Sequence, residues 1–181
     1  MGLQMNTQRH VIGVDPGKDG GFAVLSGDME IAVLLKTPLI KGRKSRSEYD
    51  VQAIVEMVNM ALREFRCVLA VVEKCQPLPS SMGGVSANFG RGLSFGLWTG
   101  ILTALKIPVI CPSPRTWQAE MFRDVNSDDT KQASVLVASR MWPGRSWLSS
   151  DRGKKPDHGL TDAVLLAEYG RRKALVQGTG D

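Results

Sequence analysis

A chain of 181 residues with 43% apolar content is long enough for one compact core, and a second independent domain would be cramped. Its formal charge of +5 favours anionic partners, and nucleic acid is the commonest of these for a small basic protein. Cys67, Cys75 and Cys111 lack CxxC spacing, no apolar run reaches the length of a membrane span and the polar first ten residues hold no signal sequence, which argues against a zinc site, a membrane anchor and secretion, and for reduced thiols in a cytoplasmic protein.

Residues 1–9 read as a flexible leader. Val11, Ile12 and Val14 are strand formers in a run too short for an independent helix, and Pro16-Gly17 followed by Gly20-Gly21 ends this first strand, about residues 10–15, in a turn. Asp15 therefore stands where a buried strand meets solvent. An acid there is costly unless it is paired, caps the turn or binds a cation. Strands over 21–26 and 29–35 follow, with Gly27-Asp28 as a hairpin turn, so three antiparallel strands are expected in succession. Residues 36–46 carry Lys36, Lys41, Arg43, Lys44 and Arg46 with little apolar content and read as a mobile basic loop, which by itself implies no more than a solvated linker.

Ser47 is the expected cap of a helix over about 48–66, where Val51, Ile54, Val55, Val58, Leu62 and Phe65 recur at helical spacing. The continuous apolar run 67–74 then ends in a second acid, Glu73. A strand, a crossover helix and another strand imply parallel pairing, which can set Glu73 beside Asp15. Residues 76–96 are rich in glycine and serine, with Phe89, Arg91 and Phe95 interleaved. Small residues let a loop approach another surface, and the aromatics can stack on bases or wedge into a junction, or else belong to the core of the helix that follows to about 106. Gly92, Gly96 and Gly100 at four-residue spacing suggest close packing on the sheet or on a partner helix.

A fifth, parallel strand is expected over 107–112, then a short helix capped by Ser113 and started by Pro114. Asp128-Asp129-Thr130-Lys131 opens a helix to about 141. Lys131 sits at the unfavourable end of that helix dipole, a place suited to a lysine facing an anion, although plain exposure accounts for it as well. After a polar basic loop (143–156) that includes Lys154 and Lys155, a last helix begins at Pro156 with Asp157, His158 and Asp162 in its first turns. One acid there serves as a cap; two acids and an imidazole exceed that need. Leu165, Leu166 and Tyr169 form its apolar side, and residues 173–181 read as a flexible tail, leaving 10–172 as the domain. The expected fold is α/β: a five-stranded mixed sheet, three antiparallel strands then two parallel, flanked by helices.

Acids thus close a first strand, a fourth strand and the start of the last helix. Carboxylates converging at one sheet edge repel each other unless divalent cations sit among them, and hard oxygen donors suit Mg²⁺. Two such ions about 3.5–4 Å apart can clamp the attacking water and the leaving oxygen of a phosphodiester.

The order of these blocks, VIGVDPG at the start, VVEK at the fourth strand and the closing DHGLTDAVLLAEYG, resembles the RuvC family of Holliday junction resolvases within the RNase H-like superfamily. NFGRGLSFGLWTGIL and PSPRTWQ resemble its phage and bacterial branch, with the chloroplast resolvases close by; the likeness runs from about residue 10 to 170. It implies an RNase H-like fold, a homodimer acting on a four-way DNA junction, two Mg²⁺ ions per site with Mn²⁺ as a substitute, and paired cuts leaving 5′-phosphates. It also implies Asp15, Glu73 and Asp162 as metal ligands and Lys131 as a phosphate contact. Gly159 stands where the family places an acid or histidine three residues before the last aspartate, so the fourth ligand falls to Asp157, with His158 as ligand or water-positioning base. Another family lysine falls near Gln118, a departure that weakens that contact.

On this reading the basic loops, with Lys41, Arg43, Lys44, Arg46, Lys154 and Lys155, hold DNA backbones, joined by Arg91. Arg115 or Lys131 neutralises the scissile phosphate, and Phe89 opens the junction by stacking. The implied setting is a bacterial or phage-infected cytosol, an organellar origin remaining open. The competing readings are an RNase H-like nuclease acting on flaps, forks or RNA–DNA hybrids, and a junction-binding protein without catalysis. An actin-like phosphotransferase needs a repeated second half for which this chain is too short.

Overall fold

The computed structural model describes residues 8–42, 47–79, 81–82, 84–125, 127, 129–149 and 153–177. In chain order its elements are β1 (Arg9–Asp15), β2 (Gly21–Ser26), β3 (Ile31–Lys36), β4 (Leu39–Lys41), β5 (Ser47–Tyr49), α1 (Val51–Glu64), β6 (Arg66–Val72), α2 (Val85–Ala104), β7 (Val109–Ile110), α3 (Pro114–Met121), α4 (Thr130–Met141) and α5 (His158–Gln177). Five strands form one mixed sheet in the order β3-β2-β1-β6-β7. The first three are antiparallel neighbours, while β6 runs parallel to β1 and β7 parallel to β6. This is the expected α/β architecture.

Strand alternation divides the core into two layers. Ile12, Val14, Phe22, Val24, Ala70 and Val72 point to one face and pack with Ile54 and Val58 of α1 and Trp98 and Leu102 of α2. On the opposite face, Val11, Ala23, Leu25 and Val71 meet α5 through Ala163, Val164, Leu166 and Ala167, with Trp117 of α3 and Val137 of α4 behind it. The central strand is therefore buried on both faces, which is why its sequence is continuously apolar rather than alternating. Helix α5 lies unusually close to β1: a Cβ on Gly13 would overlap the backbone of Ala163 and Ala167, and one on Gly159 would overlap the carbonyl of Asp19. Only glycine permits these two approaches.

Several local expectations are corrected. Residues 36–41 are not a mobile loop. Lys36 ends β3, and β4 pairs antiparallel with β5, Leu39 opposite Tyr49 and Lys41 opposite Ser47. Because Ser47 is taken into that hairpin, the cap of α1 is Asp50, whose carboxylate accepts from Ala53 N–H at 3.0 Å, and the helix starts three residues later than expected, at Val51. The third strand begins at Ile31, after a turn in which Met29 has φ 67°. Helix α2 starts at Val85, so most of the glycine-rich segment is helical rather than loop. The Asn88 side chain ties its first turns to both N–H and C=O of Leu78. A Cβ added at Gly92, Gly96 or Gly100 would meet nothing within 4 Å, so these glycines do not pack closely on the sheet.

Helix α5 continues through Gln177, past residue 172 where a tail is expected, and Lys173 bridges Glu120 at 2.7 Å. Buried Glu168 receives both Arg171 and Arg172. Residues 1–7 of the expected leader and 178–181 of the expected tail lie outside the described residues. Among the described residues no helix is long and apolar enough to cross a membrane.

Candidate active site

The acids meet for a reason of register. Val11 and Gly13 face α5, and Asp15 continues that face at the end of β1. Val14 is registered with Val72, and Glu73 N–H donates to Val14 O at 3.1 Å, so Glu73 is the parallel neighbour of Asp15 and follows Val71 on the same face. Helix α5 covers that face. The close approaches at Gly13 and Gly159 bring its first turns, with Asp162, over the strand ends.

Each acid has one oxygen engaged. Asp15 Oδ1 accepts from Gly17 N–H at 3.3 Å, Glu73 Oε2 from the Trp117 indole at 2.8 Å, and Asp162 Oδ1 from Ser134 Oγ at 2.5 Å. The second oxygen of each has no hydrogen-bond partner among the described residues. Burial is the leading cause of a raised pKa at all three. The Asp15 carboxyl lies above the usual carboxylate range, Glu73 is raised to about 7 and Asp162 to about 8. Trp117 and Ser134 oppose the rise at Glu73 and Asp162, whereas the charge of Asp15 adds to both. Three acids thus share a site that disfavours three negative charges.

A cleft of about 680 Å³ opens beside two of them, lined by Asp15, Asp162, His158 and the turn 17–20, with Lys36 and Lys131 bringing positive charge, while Glu73 lies behind its lining. Lys131 is exposed at the start of α4, and its charge lowers the pKa of Asp162. Lys36, expected in a DNA-backbone loop, instead reaches into the cleft: its ammonium donates to Asp157 Oδ1 at 2.8 Å and to the carbonyl of Asp19. Asp157 Oδ1 also accepts from Leu160 N–H at 3.3 Å, which makes Asp157 a cap of α5. His158 Nδ1, by contrast, is buried without a hydrogen-bond partner among the described residues.

The donor chemistry fits a hard divalent cation: three carboxylates, each with an oxygen to spare, in a site where charge compensation is needed. As the side chains stand, no three His, Cys, Asp or Glu residues among those described are grouped tightly enough to enclose an ion. Occupancy therefore requires the unengaged oxygens of these carboxylates to draw closer together.

The other residues singled out from sequence are dispersed. Phe89 is 72% exposed near the start of α2, in line with exposed Val85 and Leu93 at four-residue spacing. Arg91 donates to the carbonyl of Gln76 at 3.1 Å and its charge reaches Glu73. Arg115 is exposed on α3, and Lys41, Lys154 and Lys155 are exposed. Arg43, Lys44 and Arg46 lie outside the described residues. Sequence reasoning missed Trp117 and Ser134. Ser134 lies three residues after Lys131 on one helix face, a spacing that carried the signal. Trp117 becomes visible only once β7 is known to lie beside β6.

No protein-family model matches the chain, and no curated protein matches it in sequence. Among solved structures, RuvC of Thermus thermophilus in complex with a Holliday junction substrate superposes with a TM-score of 0.59 at 18% identity, covering 93% of this chain and 96% of that one. Another Thermus thermophilus RuvC structure gives 0.58 at 19% identity with the same coverage. The yeast mitochondrial Holliday junction resolvase gives 0.50 at 11% identity, covering 93% of this chain and 80% of that one. At these identities the likeness is one of fold: the chain has the architecture of RuvC over nearly its whole length.

Proposed function

We propose that this chain is an endonuclease that resolves four-way DNA junctions by paired, metal-dependent phosphodiester hydrolysis leaving 5′-phosphates. The observation that carries the reading is the gathering of Asp15, Glu73 and Asp162 at the ends of β1 and β6 and the start of α5, on the fold of a protein solved with a Holliday junction substrate.

What divalent ions supply when bound at such carboxylates is charge compensation and Lewis acidity for in-line attack of water on a phosphodiester. Asp15, Glu73 and Asp162 hold them. His158, with Nδ1 unpartnered, is the candidate fourth donor or water-positioning base, while Asp157 is engaged by Lys36 and orients the start of α5. Lys131, exposed at the rim of the same cleft, neutralises the scissile phosphate. The exposed ridge of Val85, Phe89 and Leu93, beside glycines that leave α2 open to close approach, suits the pairing of two copies and lets Phe89 stack at the junction centre. Lys41, Arg43, Lys44, Arg46, Arg91, Arg115, Lys154 and Lys155 contact DNA backbones in this scheme.

The test is Mg²⁺-dependent cleavage of a mobile four-way junction by the wild type and by Glu73→Gln. Symmetric paired nicks from the wild type alone are the expected result. Equal cutting of flaps and forks points to a broader branched-DNA nuclease. Tight Mg²⁺-independent junction binding with no turnover points to a binding protein.

A further inference from the structure

The chain has four tryptophans, and they differ in what their indole N–H groups meet. Those of Trp98 and Trp147 are buried without a partner among the described residues, and that of Trp142 donates to the carbonyl of Met29 at 2.7 Å. Trp117 alone donates to an acid, Glu73 Oε2 at 2.8 Å, from a fully buried position. Burial in this core therefore does not by itself guarantee an indole a partner, and the one directed at an acid meets a carboxylate that neighbours Asp15.

The aim of Trp117 is fixed by its surroundings. Ser113 caps α3 and Pro114 starts it, while the Phe122 ring meets the indole edge-on at 5.4 Å. Trp117 packs in the cluster that holds Val71 of β6, the strand Glu73 follows. A glutamate side chain has three rotatable bonds, and a carboxylate that samples several rotamers presents its second oxygen poorly to a shared ligand.

We propose that Trp117 is a positioning residue for Glu73: its indole N–H holds Oε2 so that Oε1 is presented to a divalent cation shared with Asp15 and Asp162. The proposal rests on the metal-site reading above. Trp117 touches no reacting atom and acts only through the carboxylate.

Two measurements test it, with Mn²⁺ and Mg²⁺ as the probes. In calorimetric Mn²⁺ titrations, Trp117→Phe weakens binding about 10- to 100-fold. Junction cleavage by the same variant returns at saturating Mn²⁺, whereas Glu73→Gln is not rescued. In amide and indole proton–nitrogen spectra of the wild type, the one indole signal that Glu73→Gln displaces also shifts on adding Mg²⁺, while the other three stay in place. The spectra decide the matter even where Trp117→Phe folds poorly. Wild-type Mn²⁺ affinity in Trp117→Phe, or an indole signal at Glu73 indifferent to Mg²⁺ in a protein that binds it, overturns the assignment. A wild type that takes up neither ion overturns the metal site itself, and is recognised because Glu73→Gln then changes no binding.

Discussion

Lys36 Nζ lies 2.8 Å from Asp157 Oδ1, joining the end of an edge strand to the start of the last helix across 121 residues of chain. The same ammonium donates to the carbonyl of Asp19, and Thr37 Oγ1 donates to that of Gly17 at 3.0 Å. The end of β3 thus clasps both the turn after Asp15 and the segment that carries His158 and Asp162. Both partners are mostly buried, at 30% and 15% side-chain exposure. Lys36→Met is therefore expected to destabilise the protein by about 2 kcal/mol, between the values for exposed and for buried pairs. In a domain of this size that corresponds to about 4–8 °C in Tm. A double-mutant cycle with Asp157→Asn, followed by thermal denaturation, should give a coupling of about 1 kcal/mol or more. Additive losses would show that the bridge contributes nothing.

Folding stability should depend on pH through the buried acids of the site. Glu73 and Asp162 are raised in the folded state, to about 7 and about 8, so the native protein binds more protons than the unfolded chain between the ordinary carboxylate range and those values. Their contribution is full below pH 4 or so and is lost as the pH rises through about 8. Without divalent ions, Tm should fall over that interval, and the slope should lessen in Asp162→Asn. Mg²⁺ should raise Tm more at pH 8 than at pH 6, because at pH 6 it competes with protons. A Tm that rises from pH 5 to pH 8 in chelator, with no difference between wild type and Asp162→Asn, would contradict the burial of these groups.

Lys131→Ala removes an exposed side chain, so stability should change by less than about 0.5 kcal/mol. Loss of one phosphate contact should reduce the slope of log affinity against log salt by about one. Cleavage should fall about 100-fold at saturating DNA, as when one preorganised donor is removed from a charged transition state. A variant that cuts at the wild-type rate would take Lys131 out of the site.

Phe89 is 72% exposed, so its removal should leave the fold intact. Phe89→Ala should melt with the wild type yet lose the fluorescence change of a 2-aminopurine placed at the junction centre, with cleavage reduced in parallel. Phe89→Trp should restore both. An unchanged probe signal in Phe89→Ala would assign the ridge on α2 to protein contact alone.

Much of the fold and part of the site were legible in sequence because their causes are local. Short continuous apolar runs, the DPG and GG turns and the Ser113-Pro114 cap are decided within a few residues, and each holds in the structure. Asp15 and Glu73 follow from the same logic, since an acid closing a buried strand is visible without knowing its neighbour. Capping was read wrongly where two local signals competed. Ser47 has the chemistry of a cap, but pairing with Lys41 takes it into a strand, and Asp50 three residues on does the work.

The sequence by itself determined the five strands of the main sheet and most of the helices, though not the β4–β5 hairpin, and that acids would lie where strands end. Only the tertiary structure decided what each acid touches: Trp117 for Glu73, Ser134 for Asp162 and Lys36 for Asp157, across 44, 28 and 121 residues. Local periodicity reveals which face of an element is buried, whereas the partner met on that face depends on how strands order themselves and how closely a helix can approach them. Here that approach was set by glycines, among them Gly13, Gly21 and Gly159, whose missing side chains let α5 descend onto the strand ends.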